Sequence, residues 1–164
     1  MIIGVTGDTH NNLKNISNIC SIFNENRADL VLHTGDISLP KSLLAFKALK
    51  CPIIAVLGNN DIGEEIELRK ASRGFDCQIK TEPFYIELEK KNICLIHHPE
   101  LITEKMLSEN DIIFHGHTHR FRLENTEEAI IFNPGECAGI LKGKNQIGLV
   151  NLSNENIDIQ VLNF

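Results

Sequence analysis

Three short apolar runs near the start of the chain each end in a glycine followed by a polar residue, and a helix-like segment separates each run from the next. The runs cover residues 2–5, 30–32 and 53–57, and they lead into Gly7-Asp8, Gly35-Asp36 and Gly58-Asn59. Short apolar runs bounded by turn residues are typical of buried strands, and their alternation with helices predicts parallel β-α-β units. Since parallel strands end at one edge of a sheet, we expect Asp8, Asp36 and Asn59 to lie on one rim.

The segments between these runs have helical spacing. Leu13, Ile16, Cys20 and Phe23 fall on one helical face, and Asn12 before them fits an N-cap. Residues 40–49 predict a short helix that is closed by Cys51-Pro52, and residues 62–73 predict a strongly charged helix.

The second half of the chain consists mostly of strand-like segments. Residues 84–88 and 93–96 flank four polar residues and predict a hairpin, whereas residues 99–109 look helical, with Pro99 in the first turn. Residues 112–114 form an apolar strand that leads into His-Gly-His. Further strand-like segments lie near 120–124, 129–133, 146–152 and 157–163, with turns at 133–135 and 153–156. The pattern predicts an α/β fold with a mixed sheet, or with two packed sheets and helices outside.

Size, charge and cysteine usage narrow the class of protein. The 164 residues suit one domain over 1–164, and no apolar run has the length that crosses a bilayer. The first eight residues have no basic stretch before their apolar part, which predicts a strand rather than a signal peptide and hence a cytoplasmic protein.

A net charge of −6 argues against a large nucleic-acid surface. The five cysteines are odd in number and widely spaced, which predicts reduced, mostly buried thiols.

The polar residues at the strand ends are oxygen or imidazole donors. Asp8 and His10 are two residues apart, so an extended backbone would point both to the same side, where they can chelate a metal. His117 and His119 repeat this spacing after residues 112–114, and His97 ends another strand-like run. Taken alone, each motif also has an explanation without a metal. It could be a Gly-Asp turn, a pair of surface histidines without a function, or a hydrogen-bonded histidine in the core. Together they predict a site for Mn, Fe or Zn rather than Ca, without the thiolates of structural zinc.

The order of these motifs, D-x-H, G-D, G-N-x-D, H and G-H-x-H, resembles the calcineurin-like metallophosphoesterase superfamily. The resemblance runs from Gly7 to about Gly139 and includes Asn133-Pro134-Gly135. It is strongest to the small, cap-less phosphodiesterases of the YfcE type. The resemblance implies a sandwich of two mixed β-sheets with flanking helices.

The resemblance also implies a centre of two divalent ions, with Mn expected and Fe, Ni or Zn suited to the same ligands. Asp8, His10 and His119 would bind the first ion, Asn59, His97 and His117 the second, and Asp36 would bridge the two. Such a pair clamps phosphoryl oxygens, and a metal-bridging hydroxide attacks the phosphate ester. The two carboxylates cancel only part of the metal charge, so the site attracts phosphate although the chain is acidic.

One position departs from many relatives, which carry G-N-H-[DE] where this chain has Gly58-Asn59-Asn60-Asp61. Asn60 can donate a hydrogen bond to phosphate, but an amide cannot protonate a leaving group near neutral pH. Together with the resemblance to the YfcE-type phosphodiesterases, this predicts a small phosphodiester or a cyclic nucleotide as the substrate. The catalytic candidates are Asn60, Asp61 and Asp36.

Other polar residues have weaker claims to a role. His98 and His115 are candidates to replace the missing histidine as the proton donor, although a position without a catalytic role fits each of them better. His33 is a candidate to orient the imidazole ligands, and core packing fits it equally well. A solvated surface explains the basic residues better than contact with the far end of a substrate. These residues are Arg69, Lys70, Arg73 and Arg120, and Glu136 is given no chemical role.

Two other functions also fit the resemblance. The retromer subunit Vps29 resembles these enzymes but is a protein-binding scaffold, and relatives of that kind have lost some ligands, whereas all seven positions are filled here. A nuclease would need a wider binding surface, and this chain has one Tyr and no Trp for stacking bases. The expected partner is thus a small phosphodiester, without a membrane or extensive nucleic-acid binding. A homodimer is compatible with the sequence.

Overall fold

The apolar runs of the first half form the parallel part of a six-stranded sheet in the computed structural model, which describes residues 1–141, 143–153 and 155–164. The parallel strands are, in spatial order, β1 (Ile2–Thr6), β2 (Leu30–His33), β3 (Ile53–Val56) and β4 (Cys77–Lys80). On the other side of β1, β10 (Gln146–Leu152) pairs antiparallel with β1, and β11 (Ile157–Asn163) pairs antiparallel with β10. The sheet is therefore mixed, with its parallel strands ending on one rim.

The second half forms a five-stranded sheet, which is also mixed. Its members are β5 (Phe84–Leu88), β6 (Lys91–Leu95), β7 (Ile112–Phe114), β8 (Arg122–Asn125) and β9 (Ile130–Asn133), in the spatial order β5-β6-β7-β9-β8. The three central strands are parallel, and the two edge strands are antiparallel to them. Glu89 and Lys90 alone connect β5 to β6, with φ values of 50° and 62°. Positive φ at both central residues is the geometry that suits a two-residue hairpin.

The main apolar core lies between the two sheets. Val5, Leu32 and Val56 project from one sheet toward Leu95 and Phe114 of the other, and all five are fully buried. Alternate residues of each strand face this core, and the remaining ones face the helices. The central strands are thus covered on both faces, which explains why the sequence shows continuous apolar runs rather than alternation.

Helices cover the outer face of each sheet. The six-stranded sheet is covered by α1 (Leu13–Glu25), α2 (Pro40–Ala45) and α3 (Glu65–Ser72), and the other sheet by α4 (Glu104–Glu109). Asn12 caps α1 by accepting a hydrogen bond from the Asn15 backbone N–H at 3.0 Å, as predicted. This arrangement of helices, two mixed sheets and helices confirms the predicted fold class.

The differences from the predicted elements are local. The helix predicted over 40–49 ends at Ala45 and continues as a 3₁₀ turn over Phe46–Ala48. The helix predicted over 62–73 begins only at Glu65, and the segment 99–109 divides into a 3₁₀ turn and α4. Strand β4 was not predicted, because Ile79 is its one buried residue. Leu13 is 44% exposed and does not join the buried face of α1.

Three further predictions concern the chain as a whole. The five cysteines are free thiols, and Cys20, Cys94 and Cys137 are buried. The predicted turn at 153–156 closes through the Ser153 N–H and the Asn156 carbonyl at 3.0 Å, while Asn154 lies outside the described residues. Among the helices that the structure describes, none has the length and apolar character to cross a membrane.

Candidate metal centre

The seven predicted metal ligands lie in the loops that follow five strands, and these loops meet at one rim of the sandwich. The loops after β1, β2 and β3 carry Asp8, His10, Asp36 and Asn59, and those after β6 and β7 carry His97, His117 and His119. Backbone hydrogen bonds join the loops: the Asp8 N–H donates to the Gly35 carbonyl at 2.9 Å, and the Gly116 N–H donates to the His97 carbonyl at 3.2 Å. Both sheets therefore contribute to one site.

Most of these ligands have a left-handed backbone. The φ values are 49° at Asp8, 44° at His10, 60° at Asp36, 69° at His117 and 55° at His119. The expectation that Asp8 and His10 face one side through an extended backbone is therefore wrong, because tight turns bring them together. Asp and His tolerate this conformation better than most residues, but each non-glycine residue in it costs of order 1–3 kcal/mol. Such strain is common at functional sites.

One cluster of ligand atoms is formed by Asp8, His10, Asp36 and His119, whose donor atoms all lie within 4.8 Å of one another. The Nε2 atoms of His10 and His119 are 3.4 Å apart. His119 Nε2 lies 3.7 Å from Asp8 Oδ1, and His10 Nε2 lies 3.8 Å from Asp36 Oδ2. Two imidazoles and two carboxylates at these distances form a donor set that suits a divalent transition metal.

A second cluster surrounds the side-chain oxygen of Asn59. Asn59 Oδ1 lies 3.0 Å from His97 Nε2 and 2.9 Å from His117 Nδ1. His97 Nε2 is also 3.5 Å from Asp36 Oδ1. Asp36 therefore stands between the clusters, with Oδ2 on the side of His10 and Oδ1 on the side of His97. A carboxylate in this position can be shared by two ions.

Hydrogen bonds orient two of the imidazoles, and for His97 the bond also fixes which ring nitrogen is free. His97 Nδ1 donates to the Thr34 carbonyl at 2.8 Å, so its Nε2 presents a lone pair to Asn59 and Asp36. His10 Nδ1 contacts Ser38 Oγ at 3.1 Å, and its Nε2 likewise points into the first cluster. Partners of this kind orient imidazoles for metal binding. Neither Thr34 nor Ser38 could be predicted to have this role, since a backbone carbonyl and a serine in a turn have no distinctive pattern.

His33 supports the loops rather than the imidazoles. Its Nδ1 accepts the Gly35 N–H at 3.1 Å, which leaves Nε2 to donate to Thr9 Oγ1 at 2.9 Å. Burial lowers the pKa of His33 to about 3, so the ring stays neutral and keeps both bonds. It thereby ties together the two turns that carry Asp8 and Asp36.

The protonation of the donors is perturbed by burial and by their neighbours. Burial and the nearby Asp36 raise the pKa of Asp8 to about 8. Burial would also raise the pKa of Asp36, but His97 and two hydrogen bonds from Asn60 outweigh it and lower that pKa. Burial lowers the pKa values of His97 and His119, which favours the neutral imidazoles that metals bind.

Asn60 and Asp61 both contact the central carboxylate or its loop. The Asn60 side chain donates to Asp36 Oδ2 at 2.7 Å, and its backbone N–H donates to Asp36 Oδ1 at 2.8 Å. Asp61 is fully buried and accepts hydrogen bonds from the backbone N–H groups of Asp36, Gly58 and Ser38 at 3.0, 2.8 and 2.6 Å. Asn60 thus orients the carboxylate, while Asp61 holds the loops that carry Asp36 and Asn59.

A cleft of about 220 Å³ opens beside Asn59. Its walls include Ile62 and Leu57 on the apolar side and His98, Glu82 and Arg69 on the polar side. A second cavity of about 330 Å³ lies at the β5–β6 hairpin, where no cluster of metal donors is present among the described residues. A third cavity, of about 490 Å³, borders His10 on the side of the first cluster. Two cavities therefore adjoin the donors, the cleft beside Asn59 and the cavity beside His10.

The polar residues with weaker claims to a role lie in different surroundings. His98 borders the cleft beside His97 and His117, whereas His115 is buried, with Nδ1 against the Gly116 carbonyl. Arg69 lines the cleft, and its guanidinium donates to the Ile79 carbonyl at 2.7 Å. Lys70 pairs with Glu67 on an exposed surface.

Comparisons with known proteins agree with the fold. The family model of the calcineurin-like phosphoesterase superfamily domain matches residues 1–155. Phosphodiesterase MJ0936 of Methanocaldococcus jannaschii is 32% identical over 155 residues, which cover 92% of this chain and 93% of that protein. The solved structure of an archaeal phosphodiesterase superposes with a TM-score of 0.88 at 30% identity, covering 99% of this chain and 100% of that one. The phosphoesterase Yfce of E. coli shares the fold, with a TM-score of 0.73 at 22% identity and coverage of 99% and 98%.

Proposed function

The chain belongs to the calcineurin-like phosphoesterase superfamily, and on that premise we propose that it hydrolyses small phosphodiesters at a centre of two divalent ions. Asp8, His10 and His119 would hold the first ion, Asn59, His97 and His117 the second, and Asp36 would be shared. The observation that carries this proposal is the position of Asp36, which has one carboxylate oxygen toward each cluster.

Two bound divalent ions supply Lewis acidity, which polarises phosphoryl oxygens and lowers the pKa of water. The protein prepares the site by keeping His97 neutral and by fixing its Nε2 lone pair through Thr34. Asn60 holds the Asp36 carboxylate in one orientation through two hydrogen bonds. Asp61 fixes the backbone around that carboxylate and Gly58. These residues are positioning residues for the reaction.

The preference for diesters rests on Asn60 and on the relatives. The Asn60 side chain donates to Asp36 and, as an amide, has no proton acidic enough to transfer to a leaving group. A diester brings two ester groups, and the cleft beside Asn59 offers space for one of them. The relative from M. jannaschii is named a phosphodiesterase. We propose Mn²⁺ as the working ion, because oxygen and imidazole donors suit it.

The test is hydrolysis of bis-p-nitrophenyl phosphate and p-nitrophenyl phosphate by protein reconstituted with Mn²⁺. We expect faster turnover of the diester, and we expect Asp36→Asn to abolish it because one carboxylate oxygen is lost from the centre. Asp158→Asn makes the same chemical change at an exposed position on β11 and serves as the matched control. Full activity of Asp36→Asn would contradict the shared-carboxylate centre, and faster monoester hydrolysis would contradict the diester preference.

A scaffold function of the Vps29 type is separated by the same experiment. The donors at all seven positions meet in two clusters, which favours catalysis. A protein that binds two ions and hydrolyses neither ester would favour the scaffold instead.

A further inference from the structure

A third imidazole lies against the second cluster, at a position that the seven-ligand set does not include. One ring nitrogen each of His97, His98 and His117 lies within 4.8 Å of the other two. The His98 ring centroid is 4.7 Å from that of His97 and 4.8 Å from that of His117. His98 is therefore a neighbour of both imidazoles that the proposed function assigns to the second ion.

Glu82 holds His98 in this position. Its Oε1 accepts from His98 Nδ1 at 2.5 Å, and its Oε2 accepts from the backbone N–H groups of His97 and His98 at 2.6 and 3.1 Å. An ionised carboxylate can only accept, so the His98 ring proton lies on Nδ1 and the lone pair on Nε2. A carboxylate that fixes the tautomer of an imidazole in this way is the usual support of a metal-binding histidine.

The distances and the charge both permit a common ion. Nitrogens on opposite sides of one ion are about 4.2 Å apart when each metal–nitrogen bond is about 2.1 Å. Only one of the three nitrogen pairs can have this separation and the others would be about 3 Å apart, so the rings, whose nitrogens lie within 4.8 Å of one another, would draw together around the ion. A neutral imidazole also adds a ligand without adding negative charge, so the centre keeps its attraction for a phosphate group.

We propose that His98, oriented by Glu82, is an additional ligand of the second metal ion, so that this position has three imidazoles. The inference rests on the proposed function, because it presupposes an ion between Asn59, His97 and His117. It makes the second position richer in nitrogen than the first, which has two imidazoles. The two positions then differ in ligand number, and nitrogen-preferring ions should favour the second.

The first test is titration of metal-free protein with Mn²⁺ by calorimetry, for wild type, His98→Ala, Glu82→Gln and Arg69→Ala. We expect His98→Ala to weaken one of the two binding events by at least about tenfold and to leave the other unchanged. Glu82→Gln keeps the side-chain volume but weakens the orienting bond, so a smaller loss at the same event is expected. Arg69→Ala alters the same cleft without removing a donor and should bind like wild type.

The second test counts the coordinated imidazoles directly. In Co²⁺-loaded protein, each coordinated histidine contributes one exchangeable, paramagnetically shifted ring N–H signal to the proton NMR spectrum. The proposal predicts five such signals, from His10, His97, His98, His117 and His119, and four in His98→Ala. A structural disturbance alone would move signals without removing one.

The outcomes distinguish the two proposals. If wild type binds two ions and His98→Ala binds them with unchanged affinity and an unchanged signal count, the extra ligand is refuted and the two-metal function stands. If wild type binds fewer than two ions, both the extra ligand and the two-metal function are refuted.

Discussion

Replacing Asp8 by asparagine removes a buried negative charge, and we expect this variant to be more stable than wild type at alkaline pH when no metal is bound. Asp8 is fully buried, and burial together with Asp36 raises its pKa from 3.8 to about 8. The folded, metal-free protein therefore keeps the proton on Asp8 up to about pH 8, whereas the unfolded chain loses it near pH 4. Between these values the folded state binds more protons, so the free energy of unfolding falls as pH rises.

The magnitude follows from this difference in pKa. Each pH unit within the window changes the free energy of unfolding by about 1.4 kcal/mol, so the loss between pH 5 and pH 8 is about 4 kcal/mol. Asparagine does not titrate, and its carbonyl can still accept the His117 N–H that Asp8 accepts at 3.1 Å. An unpaired amide N–H would cost about 1 kcal/mol. Counted from the unfolded pKa of 3.8, the titration of Asp8 destabilises the folded state at pH 8 by about 5 kcal/mol. A net gain of about 4 kcal/mol at pH 8 is therefore expected for Asp8→Asn.

The assay is urea unfolding followed by circular dichroism in EDTA at pH 5, 6, 7 and 8. Asp158→Asn is the control, because its carboxyl group is exposed and should not alter the pH profile. Saturating Mn²⁺ should reverse the order of wild type and Asp8→Asn, because the ion stabilises only the protein that binds it. Profiles for wild type and Asp8→Asn that run parallel from pH 5 to pH 8 in EDTA would refute the reasoning.

Three further predictions concern the loops and the cleft. A Cβ on Gly58 would lie 2.3 Å from Asp36 Oδ1, so Gly58→Ala should lower diesterase kcat/KM by about 100-fold; steady-state rates near wild type would contradict this. Asp61→Ala leaves three backbone N–H groups, two of them buried, without their acceptor and should cost about 3 kcal/mol of stability in urea unfolding. A loss below about 1 kcal/mol would mean that other contacts hold the loops. Arg69→Ala should raise KM for the diester a few-fold with kcat unchanged, and an unaltered KM would exclude Arg69 from the substrate side of the cleft.

The general architecture could be predicted because apolar runs and turn residues carry it. The runs that precede Asp8, Asp36 and Asn59 are buried on both faces, and burial of this kind leaves a clear signature in sequence. Because these strands are parallel, their ends lie at one rim of the sheet. The order of the motifs along the sequence was therefore enough to predict where the site lies. Strand β4 left no such signature, because it buries only Ile79.

The details that determine the chemistry could not be predicted. Asp8 and His10 are positioned by left-handed turns, and nothing in an Asp-Thr-His sequence distinguishes such a turn from an extended strand. Glu82 contacts His98 across a separation of 16 residues, and its carboxylate meets that ring only after the hairpin has folded back. Thr34 orients His97 through a carbonyl that every residue possesses. Contacts of this kind depend on the three-dimensional fold.

The division of the ligands between the two sheets also bears on the lifetime of the folded protein. Asp36 and Asn59 follow strands of the six-stranded sheet, while His97, His117 and His119 follow strands of the five-stranded sheet. An ion bound at either cluster would thus cross-link the sheets over the apolar interface that must open during unfolding. Bonds that form only after the sheets have docked slow unfolding and leave the folding rate nearly unchanged. Chelation would then shorten the half-life of the native enzyme as well as stop its turnover, so cellular metal supply would set how long each molecule survives.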